Sequence, residues 1–186
     1  FDQARVQNAD TVILGWGGDS HGSPGRVESL AGEIAGTIPC DFVVFRNEGF
    51  DPSRILVPTR GNPGSSDVMS EVARMIQSEY GSEVTVLHIV DGADGAAEAE
   101  KRMREWMTDH DLGDAELIID TSGDVPGTVH RLAAEHTLVI LGATEQGLLS
   151  RLTRGSQVLE IVEGLDTSVM LAERPQKRPL LKRLFG

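Results

Sequence analysis

The sequence holds a single cysteine, Cys40, and only three lysines, Lys101, Lys177 and Lys182. One thiol excludes an internal disulfide framework and fits a reducing cytosol; Cys40 itself reads as a small apolar residue at a strand start. No apolar run approaches the ~18–20 residues of a membrane-spanning helix, and no signal peptide opens the chain. The sequence starts at Phe1, inside what already reads as folded chain, so an excised piece of a larger protein is expected. Bases are scarce in the body too: residues 1–173 carry all 29 acids against 12 Lys and Arg, a net of −17. A surface of that sign cannot wrap a phosphate backbone, which excludes nucleic acid as a partner. Acid-rich, lysine-poor composition suggests a halophilic cytosol, where dense carboxylates stay screened and soluble.

Catalytic signatures are missing as well. There is no nucleophile elbow, P-loop or zinc-ligand spacing, so no catalytic or metal residue is assigned and the chain is expected not to be an enzyme. His21, His88, His110, His130 and His136 form no i,i+4 pair. His88, inside a strand, reads as a satisfied core or edge residue rather than a ligand. Asp109, Asp111, Asp114 and Glu116 lie close together, but Gly113 is displaced from where a calcium loop needs its turn. A solvated helix end and loop is the better reading.

What is present is alternation. Thr11–Leu14 is a short apolar strand stopped by Gly15; glycines and Pro24 follow, and Val27, Leu30, Ala31, Ile34, Ala35 and Ile38 recur at helical spacing before the strand Phe42–Phe45. Arg54–Thr59 is the next strand. A helix capped near Ser65 or Ser66 follows and ends at Tyr80-Gly81. Glu83–Val90 is a strand. Ala96 to Met107 form an amphipathic helix with Glu98–Arg102 and Glu100–Arg104 at i,i+4. Glu116–Asp120 is a strand, and Asp124 caps a helix with Pro126 in its first turn. Leu138–Leu141 is a strand turning at Gly142; a helix enters at Gly155-Ser156, and Ser168–Ala172 is the last strand. From Arg54 on, strands and helices alternate, and the strands are continuously apolar. This implies an α/β fold with a doubly wound open parallel sheet, covered on both faces.

Laying 11–46 on 138–173 without a gap reveals a repeat. Ile13-Leu14-Gly15 falls on Ile140-Leu141-Gly142, Ser29 on Ser156, Glu33 on Glu160, Ile34 on Ile161, and Phe42-Val43 on Val169-Met170. The expected organisation is therefore the C-terminal half of a first repeat over 1–50, a complete domain over 51–173, and a basic tail over 174–186.

The segments ILVPT (55–59), EVTVLHIVD (83–91), GDVPGTVHRLAAEH (123–136) and the run from Leu138 to Glu163 resemble the universal stress protein (Usp) domain. The resemblance spans 53–173, and 10–46 looks like the end of a preceding Usp repeat. It implies the adenine nucleotide alpha hydrolase-like sheet of order 3-2-1-4-5, with a ligand crevice where the order reverses. Nucleotide-binding members carry a glycine, two residues, a second glycine, nine residues, then Gly-Ser or Gly-Thr. Gly142 and Gly155-Ser156 occupy those places here, while Glu145 stands at the second glycine. Arg60 follows the first strand, after Thr59, where nucleotide binders tend to have aspartate. A carboxylate at Glu145 ~4 Å from a phosphate costs roughly 1–4 kcal/mol at surface-like dielectric. The six residues Thr59, Arg60, Gly142, Glu145, Gly155 and Ser156 thus outline a degenerate site for ATP, ADP or AMP. In the first copy Glu28-Ser29 stands where Gly155-Ser156 stands in the second, so that copy reads as structural.

Usp domains commonly pair through their last strands, so Phe42–Phe45 or Val169–Ala172 is expected to find a partner strand, within the chain or in a homodimer. In the tail, Leu180, Leu181, Leu184 and Phe185 with Lys182 and Arg183 fit either an anionic membrane surface or acidic partner, or a frayed terminus. Truncated start, tandem pattern and basic tail together resemble the cytoplasmic end of an amino-acid permease or cation antiporter. That resemblance implies a regulatory module at the inner face of the membrane, attached to an upstream membrane-embedded portion. A free-standing nucleotide-binding stress protein is the alternative.

Overall fold

The computed structural model describes residues 9–15, 40–61, 65–142 and 157–174. In chain order these form β1 (Thr11–Gly15), β2 (Asp41–Arg46), β3 (Arg54–Pro58), α1 (Ser65–Tyr80), β4 (Glu83–Ile89) and a 3-10 turn (Ala93–Gly95). Then follow α2 (Ala96–Asp109), β5 (Glu116–Asp120), α3 (Val125–Ala133), β6 (Leu138–Gly142), α4 (Gln157–Glu163) and β7 (Ser168–Glu173). The helix expected over Val27–Ile38 and the basic tail beyond Arg174 lie outside the described residues.

Period-two alternation sorts each strand between two cores. Ile55 and Val57 of β3, with Leu138 and Ile140 of β6, face α1 and α2, meeting Val68, Met69, Val72, Met103 and Met107. Leu56, Val139 and Leu141 face α3 and α4, meeting Val129, Leu132, Ile161 and Val162. Each such side chain, fully buried, contributes about 1.5–3 kcal/mol relative to exposure. Helix ends follow local chemistry. Gly81 adopts φ +69° after α1 and its N–H returns to Gln77 at 2.8 Å, an αL stop. At the end of α2 a non-glycine, Asp111, takes that role at φ 56°, while the N–H of buried Leu112 reaches back to Met107 at 2.8 Å. The acidic cluster around residue 111 is thus a helix stop and loop. The Asp124 side chain accepts from Gly127 N–H at 3.0 Å and caps α3. Of the two charge pairs expected on α2, Glu100–Arg104 forms at 2.7 Å, whereas Arg102 turns to His88.

The seven strands run in the order β1-β2-β7-β6-β3-β4-β5. From β7 to β5 all neighbours are parallel, which is the 3-2-1-4-5 order read from the other edge. Thr59 and Val90, expected inside strands, fall just past the ends of β3 and β4. One junction is antiparallel: β2 against β7, with Val44 facing Leu171. The offset that lays Gly15 on Gly142 also lays Val44 on Leu171, so this pair sits on a pseudo-two-fold axis. The neighbouring registers agree: Thr11 faces Asp41 as Leu138 faces Ser168, and the offset carries each residue of the first pair onto the second.

Different contacts close the two ends of this seam. At one, Arg46 donates to the carbonyls of Val162 (2.6 Å), Leu165 and Thr167 (3.1 Å), at the negative end of α4. At the other, Arg174 forks onto Asp41 at 2.8 and 3.1 Å and reaches Asp67 at 3.3 Å. The Asp41 carboxylate beside it holds the Arg174 guanidinium above its ordinary range. Among the described residues, equivalent positions also differ in burial. Ile140, beneath α1, is fully buried, while its counterpart Ile13 is 66% exposed.

Candidate functional site

The sheet order reverses between β3 and β6, and a parallel sheet gathers ligands outside the carboxyl ends of its strands at such a point. Here the two strands pair through Ile55 with Leu138 and Leu56 with Val139, then diverge. Thr59 and Arg60 leave β3 there and Gly142 ends β6. These three of the predicted site residues share one end of the sheet. Glu145, Gly155 and Ser156 lie outside the described residues; α4 begins at Gln157, the residue after Ser156.

Thr59 is held on every polar atom. Its N–H donates to the Leu87 carbonyl at 2.8 Å, its hydroxyl accepts the Gly61 N–H at 3.0 Å, and the same oxygen meets the Ser66 hydroxyl at 3.0 Å. Its carbonyl faces His88 Nδ1 at 2.8 Å. The other ring nitrogen of His88 faces an Arg102 amine at 3.3 Å. A carbonyl can only accept and a guanidinium can only donate, so this geometry takes the neutral imidazole with its proton on Nδ1. His88 is therefore a core histidine that fixes the loop after β3. Gly61 adopts φ +69°, and a Cβ there would lie 3.2 Å from Met103 Sδ; only glycine lets the loop lie down on α2 in this way. Arg60, between these anchored neighbours, is exposed.

Next to this wall, a second polar group closes on itself. Asp120, at the end of β5, accepts from the Ser122 hydroxyl and N–H and from Arg131 at 3.0 Å. The Ser122 hydroxyl, then its N–H, hold the carboxyl below its usual range. Asp91 bridges to Ser122 across the same end. No group of three or more His, Cys, Asp or Glu among the described residues is placed to hold a metal ion.

The arrangement can present one exposed guanidinium and a fixed backbone loop to an anion. The carboxylate that nucleotide binders of the resembled family tend to carry after the first strand is replaced by Arg60. Sequence reasoning singled out Thr59, Arg60 and Gly142 through the family pattern alone. It did not find Ser66 as the partner of Thr59, because that bond crosses a loop whose shape no spacing rule encodes. Nor did it find Arg102 as the partner of His88, because the i,i+4 rule assigned Arg102 to Glu98.

No protein-family model matches the sequence, and neither does any curated protein. Solved structures do match. A universal stress protein from Archaeoglobus fulgidus DSM 4304 superposes with a TM-score of 0.60 at 16% identity, covering 95% of this chain and 66% of its own. The cytoplasmic domain of a prokaryotic cation chloride cotransporter gives 0.62 at 12% identity, covering 94% and 66%. The universal stress protein from Archaeoglobus fulgidus in complex with dAMP gives 0.51 at 15% identity, covering 65% of this chain and 98% of that one. The fold is that of the universal stress proteins. The chain spans about two thirds of the length of the first two structures.

Proposed function

We propose that this chain is a non-catalytic regulatory and sensing module of a membrane transporter, with amino-acid transport the favoured class. It acts through the pairing of its two repeats and through weak recognition of a nucleotide or anion at the switch point. The observation that carries this reading is the β2–β7 seam, which joins one repeat to a second within a single chain. The likeness of nearly the whole chain to a cotransporter's cytoplasmic domain supports it. Among the described residues no helix is long and apolar enough to cross a membrane. On this reading the module lies in the cytoplasm beneath the membrane. The reading frame ahead of Phe1 tests the attachment: about ten hydrophobic spans of ~20 residues support it, and a start codon immediately before Phe1 removes it.

The second reading, a free-standing nucleotide-binding stress protein, draws on the dAMP complex of the same fold. Thr59, Arg60 and Gly142, with Glu145, Gly155 and Ser156, would form its site. Thermal unfolding with ATP, ADP and AMP in molar KCl tests nucleotide recognition in either setting. Binding raises Tm progressively with ligand concentration; a flat response up to millimolar nucleotide removes nucleotide sensing.

A further inference from the structure

We propose that the first turn of α1 couples the switch-point loop to the seam between the two repeats, so that a ligand on that loop alters how firmly the repeats are locked together. This rests on reading the switch point as a sensing site and adds the means by which occupancy would be transmitted. Two routes run from the loop to the same carboxylate. In the first, the Thr59 hydroxyl meets that of Ser66 at 3.0 Å, both residues being buried. Ser66 is followed in the same helical turn by Asp67. In the second, Gly61 lies against Met103 and Trp106 of α2. The Trp106 ring stacks on His110 with centroids 4.6 Å apart, and His110 Nε2 faces Asp67 Oδ1 at 3.2 Å.

Both routes end on Asp67, whose other oxygen takes Arg174 Nη1 at 3.3 Å. Arg174 in turn forks onto Asp41 at the start of β2, which belongs to the opposite repeat. A helical turn moves as a unit, so displacement of Ser66 displaces Asp67. The Asp67–Arg174 contact, already long for a hydrogen bond, is lost as one with further separation and keeps only its weaker Coulomb attraction. A ligand binding one position of the Thr59–Gly61 loop better than another therefore biases this ion bridge by its difference in affinity, and the bridge biases the ligand equally.

A double-mutant cycle on the whole chain tests the link without any ligand. Ser66→Ala and Arg174→Gln are measured singly and together by thermal unfolding, with Thr59→Val as a second loop variant. Ser66→Ala with the distant Arg131→Gln serves as reference. Coupling is expected as a combined Tm loss about 2 °C or more short of the sum for the Arg174 pair, with additivity in the reference. Additivity in the Arg174 cycles with both loop variants overturns the proposal, as does equal non-additivity in the reference. A ligand arm separates the two claims. If a nucleotide raises Tm, Arg174→Gln is expected to change its apparent Kd several-fold, and an unchanged Kd overturns transmission. If no nucleotide acts, nucleotide sensing fails, while the cycle still decides whether loop and seam are linked.

Discussion

At the scale of single residues, the end of the sheet is governed by groups whose partners leave them one protonation state or one orientation. His88 lies between a carbonyl and a guanidinium, and Asp120 is wrapped by Ser122 and Arg131. The Asp120 carboxyl is held below its usual range in the fold, so its stabilising contribution is complete above the unfolded-chain value. It is lost as pH falls through the folded one. Ser122→Ala removes the largest cause. Its Tm deficit against the parent is expected to be full at pH 6 and to narrow below about pH 4 as both states protonate. A pH series of thermal melts checks this, and a deficit that grows toward low pH has the wrong sign. The sequence could place His88 in a strand and Asp120 at a strand end. It could not show which polar atoms meet across a loop, since Thr59–Ser66 and His88–Arg102 contacts depend on the path of the chain between them.

At the scale of elements, sequence and structure agree wherever a strong periodic signal meets a dedicated stop. Gly81 after α1 and Asp124 before α3 mark boundaries by backbone chemistry that side-chain identity reveals. The end of α2 was less legible, because Asp111 does the work usually given to glycine. At φ 56° its Cβ is strained, and replacement by glycine is expected to stabilise the chain by roughly 0.5–1 kcal/mol. Chemical denaturation of Asp111→Gly checks this through a higher midpoint at unchanged slope. A lower midpoint would mean that the aspartate carboxylate contributes more than its backbone costs. Asp124→Ala, which removes the α3 cap, moves the midpoint the other way, by about 1 kcal/mol.

At the scale of the whole molecule, the gapless repeat proved the most informative pattern in the sequence. It laid Val44 on Leu171, and the structure puts those two residues face to face. Strand order within the second repeat was legible through family resemblance, because nothing in a single strand's composition says which neighbour it takes. Among the described residues, equivalent positions of the repeats differ in burial, as Ile13 and Ile140 show. Ile140→Ala is expected to cost about 2–5 kcal/mol and Ile13→Ala within about 0.5 kcal/mol. Equal losses in equilibrium unfolding would mean that the Ile13 face is covered in solution.

The pseudo-axis through Val44 and Leu171 also bears on how this chain can change over time. In a dimer of identical subunits every substitution at the axis arises twice, so each side must tolerate its own copy. With both halves on one polypeptide that constraint lapses. Arg46 now corresponds to Glu173, and Asp41 to Ser168, so equivalent positions carry opposed or unrelated chemistry. Each half is therefore free to change on its own, because a substitution on one side of the axis brings no enforced copy on the other.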